Sequence, residues 1–241
     1  MLDVHTPYET LQTWKGFFIH IATICIGLLI AIALEQSVET IHRHRELAAL
    51  RDDLRAESGQ ILADGRRSEV ASLYEEHWLT VRIAQTQAAI RDGRSLAPRE
   101  PNNRPYSATP DIPIWRSAKA GARTPLLTKG EVNAYAEVEY VQAHVEAFFN
   151  AEKATESDLR SFNRMFTVLP NGETDFTGAS SQDLHTYLKL LTTNYEGFDN
   201  YIIWLRILIG AELAVIDGKT ALEDIYASER KANSYDVQKP M

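Results

Sequence analysis

The order of apolar and polar positions divides the chain into one uninterrupted apolar run and a series of long helical stripes. From Phe17 to Leu34 it reads FFIHIATICIGLLIAIAL, eighteen residues without an Asp, Glu, Lys or Arg. At about 1.5 Å per residue that run spans roughly 27 Å as a helix, close to the hydrocarbon thickness of a bilayer. Backbone groups in lipid must be satisfied within their own segment, so the run is expected to be a transmembrane helix over 17–34. Trp14 and Lys15 flank one end as an interfacial aromatic and a snorkelling cation, and Glu35, Gln36 and Glu39 close the other. Ahead of it, Thr6-Pro7-Tyr8-Glu9 has the form of a capping box, so 1–16 reads as a short capped segment. A core helix and a cleaved signal are the alternatives. Ala31-Ile32-Ala33 fits a cleavage site, but the run is long for a signal and what precedes it is barely basic.

Beyond the span the apolar period stays near 3.6. Leu47, Leu50, Leu54 and Ile61 form one stripe, and Val70, Tyr74, Trp78, Val81, Ala84 and Ala88 a second, with Leu73, His77 and Ile83 alongside. Asp64-Gly65 is a candidate kink between them, and Asp92-Gly93 a C-terminal stop. Residues 93–113 hold Pro98, Pro101, Pro105, Pro110 and Pro113, which predicts an irregular connection. A short helix is expected over Ile114–Ala120. Thr128-Lys129-Gly130-Glu131 is a further capping box, opening a stripe from Val132 to Leu169 that is either one helix or two broken near Ala154, ended by Pro170-Asn171-Gly172. Ser180 caps the last long helix, whose stripe runs from Leu184 to Ile216. Asp217-Gly218 ends or kinks it, a weaker helical piece reaches about Arg230, and the polar tail 231–241 is expected to be flexible. No segment sustains a period of two. The pattern therefore predicts an all-α chain: an N-terminal transmembrane helix continuing into a long-helix antiparallel bundle over 35–230. Tyr201–Val215 is apolar almost all round, but Arg206 and Glu212 argue for a buried helix rather than a second span.

Within the span, His20, Thr23, Gly27 and Ala31 share a face with Gly16 and Glu35. Small residues at such spacing let two backbones approach, and His20 can hydrogen-bond across the contact. These four are the candidate transmembrane-association residues. The bundle stripes exceed what one small bundle buries, which points to self-association.

Composition narrows the partners. A net charge of −8 offers no electrostatic ground for nucleic-acid binding. The single cysteine, Cys25, lies in the apolar run, so neither an intramolecular disulfide nor a cysteine zinc site is available. Arg43, Arg45, Arg51 and Arg55 follow the span against Lys15 before it, which favours the large domain on the cytoplasmic side. Candidate chemistry is sparse. Glu39 and His42 have the spacing of helical metal ligands, but no second such motif accompanies them. Gly218-Lys219-Thr220 matches the end of a phosphate loop, yet Leu213 stands where its first glycine belongs. His77, His144 and His185 lie on separate stripes, and the predicted aromatics read as packing. Trp115, among small residues, is read as ordinary packing or as a plug in the bundle. No cofactor and no catalytic residue is indicated.

Three stretches together resemble a group of uncharacterised bacterial single-pass inner-membrane proteins: Trp14-Lys15-x-Phe17-Phe18-Ile19-His20, then Gly27-Leu28-Leu29-Ile30-Ala31 with Leu34-Glu35-Gln36, then His42-Arg43-His44-Arg45. The region Ile114–Glu131, followed by Tyr140-Val141-Gln142, is similar to that group's middle segment. The resemblance implies a bacterial cell-membrane location and a helical domain, and supplies no activity. The expectation is thus a non-enzymatic, membrane-anchored helical bundle that senses, scaffolds or docks a protein partner, and that contacts lipid and a second copy of itself. An anchored enzyme or metal protein with a site built from distant residues, and an oligomeric pore around His20, are the alternatives.

Overall fold

A computed structural model describes residues 14–98 and 109–234. The capping box at Thr6, residues 99–108 of the proline-rich connection and the tail from 235 lie outside the described residues. The elements are α1 (Trp14–Asp92), α2 (Pro113–Ala120), a 3₁₀ turn (Thr124–Leu126), α3 (Lys129–Asn163), β1 (Thr167–Val168), β2 (Thr174–Asp175), α4 (Ser181–Ile216) and α5 (Leu222–Asn233). The chain forms two compact units, Met1–Arg51 and Asp52–Met241.

The described part of the first unit is helical throughout. Its apolar side chains face outward: Phe18, Leu28 and Leu34 are each about 60% exposed. Polar side chains return to their own helix, with Thr23 Oγ1 donating to Ile19 O at 2.9 Å and Ser37 Oγ to Ala33 O at 2.7 Å. This segment is long and apolar enough to cross a membrane, and none of it is buried by the rest of the chain.

The second unit is a bundle in which α4 runs antiparallel to both long partners. Against α3 it pairs Tyr187 with Phe162, Asn194 with Thr155 and Trp204 with His144, numbers rising on one helix as they fall on the other. Against α1 it pairs Tyr187 with Arg82, Tyr195 with Glu76 and Arg206 with Glu69. Both expected caps form. Thr128 and Ser180 each accept from the backbone amide three residues on, while Glu131 and Asp183 reach back to the cap amides. Gly93 (φ +63°) and Gly218 (φ +76°) end α1 and α4 in the left-handed conformation that glycine adopts without a steric penalty. Tyr201–Val215 is buried in the bundle for most of its length, as Arg206 and Glu212 suggested.

Four expectations need correction. Asp64-Gly65 does not break α1. Asp64 is held by Gln60 at 3.0 Å and by Arg67, and a Cβ at Gly65 would lie only 3.2 Å from Ile209 Cγ1, so the glycine marks close packing against α4. The α3 stripe is one helix through Ala154, but it stops at Asn163 rather than Leu169. The residue before a proline disfavours helix, and Pro170-Asn171-Gly172 instead turns a short hairpin in which Leu169 N donates to Glu173 O at 2.8 Å. Two-residue strands are too short to show alternation. α5 extends to Asn233, past the start of the expected tail. The fourth correction concerns α1. Val70, Tyr74 and Val81 of its second stripe are 62, 45 and 44% exposed, while Ser68, Ser72, Glu75, Leu79, Arg82 and Thr86 are buried. The bundle takes the face of α1 that carries the small and polar residues and Leu79; of the expected stripe, Trp78 and Ile83 pack against the core, while Val70, Tyr74 and Val81 are left outside.

Candidate functional site

Each predicted association residue stands on the open surface of α1. His20, Thr23, Gly27 and Ala31 are exposed, and a Cβ added at Gly27 would meet nothing within 4 Å. The candidate metal ligands have other partners: Glu39 pairs with Arg43 at 2.5 Å and His42 Nε2 with Glu46 at 3.1 Å. Among the described residues, no three His, Cys, Asp or Glu side chains gather as a metal site. His144 stacks on Trp204 with ring centroids 4.2 Å apart, and His185 Nδ1 sits 2.7 Å from Ser181 O. Lys219, from the partial phosphate-loop match, follows the Gly218 cap and approaches Asp217 at 4.0 Å.

The outer stripe of α1 forms a different kind of site. Val70, Tyr74, His77, Val81, Ala84 and Ala88 follow one another at spacings of four and three, the a/d rhythm of a coiled coil. All are exposed except half-buried Ala88. In a parallel pair the flanking positions would set Arg66 against Ala71, Leu73 against Trp78, Thr80 against Gln85 and Gln87 against Asp92. None of those pairs brings like charges together; Ala71 and Trp78 on one flank are packed into the bundle, so the bundle itself borders the seam on that side.

Inside the bundle the sequence concealed two polar clusters. The first is built around α2. Ile112, its N-cap, has no side chain able to cap, and Glu57 on α1 does the work instead, accepting from Ile114 N at 2.5 Å and Trp115 N at 3.1 Å. Trp115 is buried, stacks on Tyr135 with centroids 5.5 Å apart and donates through Nε1 to Glu139 at 2.9 Å. Lys119 also bonds Glu139, and the lysine with the tryptophan holds that carboxyl below its ordinary range despite partial burial. Gln142 Nε2 donates to Pro110 O. Trp115 is therefore a plug, tied to α1 and α3 at several points. Behind it lies Glu212 of α4, fully buried, with no hydrogen-bond partner for either carboxylate oxygen among the described residues. Burial pushes it up to about 8; Ser58 opposes the rise and the Glu57 carboxylate adds to it. Glu57 is itself raised by burial, against the pull of the two amides it holds.

The second cluster surrounds Arg82, buried on α1. Its guanidinium lies over the rings of Phe176 and Tyr187 at 5.3 and 5.6 Å and donates to Tyr187 Oη, Gln85 Oε1 and Ala97 O. These partners are neutral, so the charge is stabilised by aromatic faces and oxygen dipoles. A sequence carries no mark of such a site, because its members come from α1, the connection after it, the hairpin and α4. An open groove of about 620 Å³ borders α4 and α5, lined by Arg206, Ile209, Leu213, Lys219, Asp224 and Lys231 among others. Its acidic and basic groups are mixed, so its charge selects no ligand.

The arrangement defines a class: an all-α bundle of long helices with one apolar N-terminal helix segment. At the level of family, no family model, no curated protein and no solved structure matches the chain.

Proposed function

We propose that this chain is a membrane-tethered, non-enzymatic docking or scaffolding protein that works as a parallel self-associated assembly. The tether is the segment 17–34. Holding its large apolar side chains in water would forgo about 1.5–3 kcal/mol for each one that lipid could bury. The observation that carries the assembly is the apolar seam on the outside of α1. Two chains anchored in one membrane present this seam in the same direction, and a heptad seam is complementary to a copy of itself in register. Large exposed apolar stripes on a soluble face mark contact surfaces. His20, Thr23, Gly27 and Ala31 would extend the association within lipid.

Site-directed crosslinking tests this reading. In a Cys25→Ser background, Tyr74→Cys and Val81→Cys are expected to form disulfide-linked dimers in native membranes, whereas Thr192→Cys, exposed on α4 and outside the seam and its flanks, is not. Equal crosslinking at all three positions would show that the seam is not the interface.

A further inference from the structure

From the geometry we infer that Glu212 and Glu57 form a proton-binding latch for α2. With a proton on Glu212, Glu57 keeps the first amides of α2 and Trp115 stays docked; with Glu212 ionised, α2 is released. The parts are adjacent and come from different helices. Glu57 supplies the whole cap of α2, since Ile112 has no capping side chain. Glu212 is fully buried, neither oxygen makes a well-formed hydrogen bond among the described residues, and the Ser58 hydroxyl beside it is the one group that favours its charged form, an arrangement far less costly for a neutral acid than for a carboxylate. Two carboxylates sharing a dry site do not both ionise readily, so a second negative charge beside Glu57 weakens the one group that caps α2.

The charges facing the pair are few. On α1 the charge is Arg55, which acts on Tyr135, while the neutral Ser58 hydroxyl lies next to Glu212. On α3, Tyr135 feels Glu212 and Glu131, and burial with those charges pushes its hydroxyl up to about 12. From the α2 side, Asp111 raises Glu57 and Arg116 lowers it. On α5, which crosses α4 at Gly210, Glu229 answers to Glu137 and Arg230 instead. Arg55, Arg116 and Lys119 act on the cluster, the lysine through Glu139, and none of the three is directed at Glu212 itself. The release is a proton-linked step with a local readout: Ile114 and Trp115 lose their acceptor and the Trp115 ring leaves Tyr135.

Hydrogen exchange on the full chain in nanodiscs tests it. The protection of the Ile114 and Trp115 amides, taken relative to amides in mid-α3, is expected to fall at least ten-fold between pH 6 and pH 9. In Glu212→Gln it should stay constant over that range. The same loss in wild type and variant would overturn the latch. Should Glu212→Gln not fold, the wild-type chain labelled with 5-fluorotryptophan decides: the Trp115 resonance, assigned by Trp115→Phe, should shift with a midpoint near pH 8, and a resonance that stays unmoved from pH 6 to 9 would overturn it.

Discussion

At the scale of single residues, the buried polar side chains govern how the bundle responds to its surroundings. Glu212 is pushed up to about 8 by burial, and Glu229 up to about 7 by burial and by Glu137. Both bind a proton more tightly in the folded chain than in the unfolded one, where a Glu titrates near 4.5. The folded state therefore holds more protons between those values. Its stability falls as pH rises from about 5 to about 8 and then levels. Thermal melts at pH 5 and pH 8.5 should show that fall, and Glu212→Gln should reduce it. Gly210 carries a different constraint. A Cβ there would lie 2.6 Å from Glu229 Cα and 2.8 Å from Ser228 O, so α5 would have to move. Gly210→Ala is expected to cost about 1–3 kcal/mol in denaturant unfolding, with α5 the first element to lose protection. Arg82→Ala should cost roughly 2–4 kcal/mol in the same assay, because it empties a site between two rings and leaves Ala97 O without its donor.

At the scale of elements, the sequence was informative wherever local chemistry decides the outcome. Thr128 and Ser180 cap because their side chains reach an amide three residues on, and the following acid reaches back. Thr128→Ala and Ser180→Ala should each lower stability by about 1 kcal/mol. The stripes of α3 and α4 were legible for the same reason, since each helix offers one apolar face to one core. α1 was legible in its first stripe, where Leu50, Leu54 and Ile61 are buried, and misleading in part of its second, where its two faces carry opposite signals. Its buried side holds Gly65, Ser68, Ser72 and Thr86, small enough for close packing, and Thr86 satisfies its hydroxyl on Arg82 O at 2.8 Å. Its exposed side carries Val70, Tyr74 and Val81. Periodicity finds an apolar stripe but not what the stripe faces. The cap that Glu57 gives α2 was invisible from sequence, since 57 residues separate it from Ile114. Glu212 was read only as an obstacle to a membrane span, and its meeting with Glu57 and Ser58 depends on how α1 and α4 pack.

At the scale of the whole molecule, an apolar helix segment and a bundle with buried acids, an arginine nest and an outward seam occur in one chain. On the proposed reading, confinement to one membrane raises the effective concentration of neighbouring copies at the seam. The direct test is to break cells expressing the full chain, sediment the membranes, wash them in alkaline carbonate and determine the intact mass of the protein in each fraction. The account predicts the uncleaved chain in the washed membranes, released only by detergent. Recovery of that same full-length chain in the soluble fraction without detergent would contradict it.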